Sequence, residues 1–187
     1  MAKGDSPMFK FFDMKSQSQC QDEGIHYHVP KGAGGHMVVV LTTPNKDNEV
    51  KVVTVTTNDT IPNIQFYPLA PLSKGSYGSR LEIKHYNNQY YRSALRKYSY
   101  VRLEPFYIPY EMLVPMISKR VRFDNSIIEE QPALKVDSGR KLRQRIQAIE
   151  NQAMETRKVE TIKELEKELA ALRLIVSERS QGEGTED

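Results

Sequence analysis

Residues 35–57 read GHMVVVLTTPNKDNEVKVVTVTT, and this stretch carries the clearest structural signal in the chain. Two runs rich in β-branched residues flank a polar connection of Pro, Asn, Lys, Asp and Glu, a pattern typical of a β-hairpin. Met37–Leu41 is apolar without alternation, which indicates a strand covered on both faces. The second run alternates in part, with Val53 and Val55 together, which indicates one inward face and one face crowded with hydroxyls. The sequence therefore predicts a hairpin in the core of a small barrel or sandwich.

Further short strands are predicted on both sides of this hairpin. Turns rich in Pro, Gly and Asn separate them, a pattern typical of a small, strongly curved barrel. The predicted strands are Ile25–Val29, Gln65–Leu69, Arg80–Tyr86, Tyr98–Leu103 and Phe106–Ile108, followed by one helical turn after Pro109. Together they predict a mainly β domain over residues 24–117.

From Ser138 the pattern becomes helical. Asp137 or Ser138 is suited to the N-cap, and no proline follows. Apolar residues fall in two runs, first Leu142, Ile146, Ile149 and Ala153, then Ile162, Leu165, Leu169, Leu172 and Val176. Ile162 lies nine positions after Ala153, so we expect a change of heptad phase near 154–160. This predicts a long amphipathic or coiled-coil helix over 138–180, whose apolar stripe packs on the barrel, on a second copy or on a partner helix.

The remaining segments are predicted to lack a core. Residues 1–23 are polar and rich in Ser and Gln, which predicts a disordered arm; the apolar cluster Met8–Met14 is either part of it or a segment that docks. Residues 118–137 are predicted to be a linker, and 181–187 a disordered acidic tail. With a break in the pattern at Pro132, the barrel is expected to fold without the helix.

The composition restricts the class of protein and its cellular compartment only broadly. The 187 residues carry a net charge of +3, with 39% hydrophobic and 27% charged residues, which is ordinary for a folded protein. Cys20 is the single cysteine, so no intramolecular disulfide forms, which fits a reducing compartment. Neither a signal-peptide core nor an apolar run of membrane-spanning length is present in the sequence. We therefore expect an intracellular, most simply cytoplasmic, protein with no membrane partner.

Two motifs resemble a nucleotide site and a metal site, but each lacks residues that such a site requires. The loop Lys31–Gly35 is glycine-rich, but it lacks the Gly-Lys-Ser/Thr ending of a P-loop, so no nucleotide site is predicted. Its backbone N–H groups could still meet a phosphodiester. His26 and His28 share one side of a predicted strand, yet no third and fourth ligands are evident, so we predict neither a metal nor a cofactor.

The window from Arg80 to Arg122 carries the strongest binding signal. It holds nine Lys or Arg against three Glu, and seven of the ten tyrosines. Aromatic rings stack on unpaired bases while cations follow the phosphates. The predicted contacts to single-stranded RNA are Lys31, Arg80, Lys84, Tyr90, Tyr91, Arg92, Arg96 and Lys97. The basic start of the helix, 140–145, could extend this surface. Alternatively, these tyrosines are ordinary barrel residues and the cations are solvated.

Residues 24–116 resemble the PemK/MazF-like family of small SH3-like barrels. The family's first motif, Arg-Pro-(apolar)3-Ser, is matched by His36–Thr42, and its second, Pro-(apolar)-Thr-Ser/Thr, by Thr54–Thr57. A late element, Leu-x-Lys-x-Ser-Tyr-Val-x-(apolar) with an acidic residue, is matched by Leu95–Glu104. A short helix ending in Leu-Val follows as Tyr110–Val114. The resemblance implies an SH3-like barrel over this part of the chain; the helix predicted from 138 onward lies outside it.

The resemblance also implies a chemistry. Ribonuclease members of the family cleave single-stranded RNA without metal, using the Arg of the first motif and the Thr of the second. Here the Thr is Thr56, with Thr57 beside it, while His36 stands at the Arg position and Met37 at the Pro position. Imidazole can move protons near neutral pH but lacks the permanent charge of a guanidinium. The candidate catalytic residues are therefore His36, Thr56 and Thr57.

Two functions stay open at this point. One is a metal-independent endoribonuclease or RNA-binding protein, and the other is a non-catalytic module that assembles through its helix. Because family members dimerise through their barrels, the resemblance favours a homodimer to which the helices contribute, over a monomer with the helix folded back.

Overall fold

The computed structural model describes residues 6–29, 33–62, 64–69, 80–84, 98–121 and 126–182. Side chains are described except at 120, 121 and 175–182. The chain divides into two units, the first reaching Ile146 and the second beginning at Gln147.

Within the described residues, the first unit is built on a seven-stranded antiparallel sheet. Its strands are β1 Phe11–Met14, β2 Met37–Val40, β3 Glu49–Thr56, β4 Phe66–Leu69, β5 Ser99–Arg102, β6 Phe106–Pro109 and β7 Leu113–Pro115. The strand order is β4-β5-β3-β2-β1-β7, and β6 also pairs with β3. The sheet is open, and a 3₁₀ turn, Tyr110–Met112, precedes β7 as predicted. The mainly β class with a helical appendage is confirmed.

The central hairpin is confirmed. β2 and β3 pair antiparallel, with Val38 opposite Thr54 and Val40 opposite Val52. In the connecting turn, the Asn45 side-chain oxygen accepts hydrogen bonds from the backbone N–H groups of Asp47 and Glu49, both at 2.9 Å. β2 is covered on both faces, as expected. β3 was predicted to expose one face, but residues 52–55 are all buried. The strand is therefore covered on both faces, and the side chain of Thr54 lies in the interior.

The N-terminal segment is not a disordered arm over its described length. β1 lies between β2 and β7, with Phe12 opposite both Val38 and Pro115. Phe11, Phe12 and Met14 are buried. The helix α1, Gln17–Asp22, follows with a capping box at Ser16. Of the two interpretations of Met8–Met14, the structure therefore shows the docking segment. The disordered arm was wrong because the backbone of this short apolar run completes the edge of β2. Residues 1–5 lie outside the described part.

Cys20 lies in α1 rather than in a disordered segment. It is fully buried in the main core cluster, together with Phe12, Met14, Val38 and Val40. Burial is the main cause that raises the pKa of its thiol. The thiol is therefore a core side chain.

Three further segments differ from prediction. Residues 25–29 form no strand; they are tied down by hydrogen bonds from the Tyr27 hydroxyl to the Tyr107 carbonyl (2.6 Å) and from the Val29 N–H to the Gln17 side chain (2.9 Å). The described part of 80–86 makes only isolated bridges. The expected linker contains a hairpin, β8 Ser118–Val121 with β9 Ile127–Glu130.

The long helix, α2, runs from Val136 to Gly182 without interruption and confirms the helix predicted over 138–180. Its first turns belong to the first unit, because Leu142 and Ile146 are buried and the Ser138 hydroxyl accepts a hydrogen bond from the Glu82 N–H at 2.9 Å. At Gly139 a Cβ would lie only 2.5 Å from the ring of Phe9. The boundary expected at Pro132 was therefore wrong.

The second unit is helical over its described length. The side chains from Asn151 to Leu174 are exposed, including Ile162, Leu165, Leu169 and Leu172. No helix in the described part of the chain is both long and apolar enough to span a bilayer.

A truncation series tests the boundary. A chain ending after Asn151 is expected to melt in one cooperative transition, because it retains Leu134, Leu142 and Ile146 in the core. A chain ending at Pro132 lacks all three, and each such loss costs roughly 2–5 kcal/mol against a total stability of about 5–15 kcal/mol. It is expected to show no cooperative transition. Thermal unfolding followed by circular dichroism compares the two chains. If both unfold in the same cooperative transition, the first unit ends at Pro132 after all.

Candidate nucleic-acid interface

The candidate catalytic residues lie where β2 begins and β3 ends. His36 is held just before β2: its carbonyl accepts a hydrogen bond from the Met14 N–H (3.0 Å), and its N–H donates to the Ala33 carbonyl (3.2 Å). The pairing of β2 with β3 begins at Val38 and Thr54; His36 lies two residues before Val38, and Thr56 lies two residues after Thr54. The hairpin therefore brings His36 and Thr56, 20 positions apart in sequence, to the same end of the paired strands.

Thr56 begins a polar turn. Its hydroxyl accepts a hydrogen bond from the Asn58 N–H at 3.1 Å. The Asn58 side-chain oxygen in turn accepts from the N–H and the hydroxyl of Thr60, at 2.9 and 2.7 Å. Thr56 is half-buried, whereas His36 and Thr57 are exposed. Such an arrangement orients the Thr56 oxygen while leaving the site open to a ligand from solvent.

Strand pairing extends this site across the sheet. Thr56 is opposite Tyr100, Tyr100 is opposite Pro68, and Arg102 is opposite Phe66. Because opposed residues and alternate residues of a strand share a face, these five side chains lie on one face, here termed the Thr56 face. The rings of Phe66 and Tyr100 meet edge to face, with centroids 6.5 Å apart.

The charges on the Thr56 face are partly compensated. The Arg102 guanidinium binds the Glu104 carboxylate at 2.6 Å, and 23% of the Arg102 side chain is exposed. Partial burial, and then the hydrogen bond and negative charge of Asp59, raise the pKa of Tyr100. The phenol therefore stays protonated and can donate.

A groove of about 370 Å³ adjoins this face at β4, the edge strand of the sheet. It is lined by Gln65, Phe66, Tyr67, Pro68, Leu103 and Arg145. Arg145 projects from the first part of α2, and its guanidinium donates to the Gln65 side-chain oxygen at 3.2 Å. Phe66 and Pro68 belong to both the groove and the Thr56 face, so the two features are continuous.

Arg80 and Lys84 belong to a different neighbourhood. They flank Glu82, whose carboxylate binds the Lys135 ammonium at 2.5 Å. The hydrogen bond and charge of Lys135, with the charges of Arg80 and Lys141, lower the pKa of Glu82 despite its partial burial. Lys84 is exposed, and its N–H donates to the Ala133 carbonyl. No strand pairing in the described residues connects this basic cluster directly to His36 or Thr56.

The other predicted RNA contacts lie outside the described residues. These are Lys31, Tyr90, Tyr91, Arg92, Arg96 and Lys97. Conversely, the named contacts omitted Asp59, Phe66 and Arg102, which only strand pairing and the turn after β3 bring together. Arg102 lies in the basic window that the sequence indicated, and Arg145 lies in the basic start of the helix. His26 and His28 are exposed, and the described part of the chain holds no group of three His, Cys, Asp or Glu suited to a metal ion.

Comparisons with protein-family models, with curated proteins and with solved structures found no match.

The pKa of Tyr100 reports directly on this geometry. Replacing Asp59 by Asn is expected to lower the pKa of Tyr100 toward its usual value of about 10, because the phenolate would no longer face a carboxylate. Titration of the tyrosine ring carbons by NMR measures the change. Asp47→Asn, at an exposed carboxylate in the β2–β3 turn, serves as the matched control. If both variants leave the pKa of Tyr100 unchanged, Asp59 does not contact the phenol in solution.

Proposed function

We propose that this protein binds single-stranded RNA as a divergent PemK/MazF-like protein, with His36 and Thr56 at the scissile phosphate. The proposal is supported by one geometric feature: Thr56 pairs with Tyr100, and His36 lies at the end of the β2–β3 hairpin that carries Thr56. Thr56 thereby lies on a face that carries aromatic rings and a guanidinium, and His36 lies at the same end of the hairpin.

The order in which the matched motifs fall on the strands supports an SH3-like barrel as the fold of residues 24–117. The first motif falls on β2, the second on the end of β3, and the late element on β5 and the 3₁₀ turn. In this proposal, residues 24–117 are an SH3-like barrel of the PemK/MazF type, to which β1 adds a strand.

Binding would use the Thr56 face and the adjoining groove. Phe66 and Tyr100 are half-buried, so their rings are held in place before a base arrives. Stacking a base on such a ring is worth about 1–3 kcal/mol. Arg145 at the groove and Arg102 on the face supply positive charge to the phosphates, with forked donors suited to phosphate oxygens.

Cleavage would need no metal. The ribose 2′-hydroxyl attacks the neighbouring phosphorus, an O2′–P bond forms, and the P–O5′ bond breaks. This leaves a 2′,3′-cyclic phosphate and a 5′-hydroxyl. The neutral imidazole of His36 accepts the proton of the attacking hydroxyl, and the departing 5′ oxygen receives a proton from the imidazolium or from water. The Thr56 hydroxyl donates to a non-bridging oxygen as negative charge develops there.

Incubation with mixed-sequence single-stranded RNA and a chelator tests the activity. The wild type is expected to yield fragments with cyclic phosphate ends, and His36→Ala/Thr56→Ala is expected to yield none. His28→Ala/Thr43→Ala is the matched control, because it removes the same side-chain types at exposed positions that lie outside the Thr56 turn. Fragments that persist in the His36→Ala/Thr56→Ala variant indicate another site or a contaminant.

A gel shift without fragments would instead indicate the non-catalytic RNA-binding module. The absence of both a shift and fragments would leave assembly through the helix as the function.

The affinity for RNA is expected to contain a salt-dependent contribution from phosphate contacts and a salt-independent contribution from base stacking. Arg145→Gln is expected to reduce the slope of log affinity against log salt by about 0.7, the contribution of one phosphate of a single strand. Tyr100→Leu is expected to weaken binding by about 1–3 kcal/mol at every salt concentration. The controls are Arg157→Gln, on the exposed part of α2, and Tyr107→Leu, an exposed tyrosine of β6. Equal effects of the test and control variants would exclude this surface.

A further inference from the structure

The exposed part of α2 carries an apolar stripe. The side chains of Ile162, Leu165, Leu169 and Leu172 are 50–60% exposed in the single chain. They recur at spacings of three and four residues, so they lie along one seam of the helix. A row of four large aliphatic side chains in water favours association, since covering it removes apolar surface from solvent.

The seam has the composition of a two-stranded coiled coil. With Ile162 and Leu169 at heptad position a, Leu165 and Leu172 take position d. Of the two a positions, Ile162 is β-branched, and a β-branched residue at a combined with leucine at d favours parallel dimers. One heptad earlier, positions a and d hold Glu155 and Lys158, which form an exposed ion pair at 2.8 Å. The apolar seam therefore begins at Ile162.

The flanking charges select the partner. In this frame Glu168 is at position g and Arg173 at position e, and both are exposed. In a parallel, in-register pair, position g of one helix faces position e of the following heptad in the other helix. Glu168 of each helix can therefore form an ion pair with Arg173 of the other, which gives two such pairs per dimer. An antiparallel pair that keeps all four apolar residues in layers would instead set Glu168 against the partner's Glu168, which is repulsive.

We propose that this surface binds a second copy of the same chain, as a parallel, in-register, two-stranded coiled coil that begins at Ile162. Charge complementarity under two-fold symmetry is the reason for choosing a second copy: one surface carries both members of the Glu168–Arg173 pair. This association requires no RNA and is independent of the proposed function.

Sedimentation of the full chain tests the association. The wild type is expected to be a dimer at tens of micromolar, and Leu165→Asp/Leu172→Asp to be a monomer, with a dissociation constant raised by about 100-fold or more as four buried leucines are lost per dimer. Ala170→Asp/Ala171→Asp is the matched control, because it adds the same charges to the same helix at exposed positions outside the seam. It is expected to remain dimeric. All three chains should retain the thermal transition of the first unit.

A cysteine pair tests the orientation. Leu165→Cys should form a disulfide-linked dimer on mild oxidation, because the two d positions face each other only in a parallel, in-register pair. Glu164→Cys, at an exposed position outside the seam, should not, and the wild type should not either, since its Cys20 is fully buried.

Each other outcome overturns the proposal. A monomeric wild type means that the stripe is covered otherwise, by its own chain or by another protein. A trimer or tetramer excludes the two-stranded form. A dimer without the Leu165→Cys crosslink excludes the parallel register.

Discussion

The hydrogen-bonded pairing of β2 with β3 is the interaction on which the rest of the first unit depends. It places Val38, Val40 and Val52 in the main core cluster on one face, and it sends Val39 and Val53 to the other. β1 attaches to one edge of this pair, and β5 and β6 attach to the other. A register shift of one residue would turn every buried valine toward the opposite face. The same pairing brings His36 and Thr56 to one end of the hairpin, so the core and the candidate site share one constraint.

The long helix serves two purposes along its length. Its first turns complete the first unit through Ser138, Gly139, Leu142 and Ile146, and the contact is close enough at Gly139 to leave no space for a side chain beside Phe9. Phe9 itself adopts a left-handed backbone conformation with φ of 64°, which costs a non-glycine residue about 1–2 kcal/mol. Such strain persists only where surrounding packing compensates for it. Beyond Gln147 the helix keeps its apolar stripe exposed.

The residues of the candidate interface are held in different ways. Thr56 and Tyr100 pair with each other across β3 and β5, and Asn58 and Asp59 form hydrogen bonds to them from the following turn. His36 is held through its backbone hydrogen bonds, and its side chain is exposed. Two residues of the site are therefore fixed by long-range pairing, whereas the third is fixed only by its main chain.

Local pattern alone determined the hairpin at 37–56, the short strands near 66, 99 and 106, the 3₁₀ turn at Tyr110 and the long helix. Each of these has a periodicity, a proline or a turn residue that acts within a few positions. Tertiary structure alone decided the place of β1, the loop at 25–29 and the docking of Leu142 and Ile146. A four-residue strand or two helical turns become stable only through partners far away in sequence, and such partners leave no local signal. The Thr56 face belongs to the second group for the same reason: Thr56, Tyr100 and Phe66 meet through long-range pairing, which residue spacing does not encode.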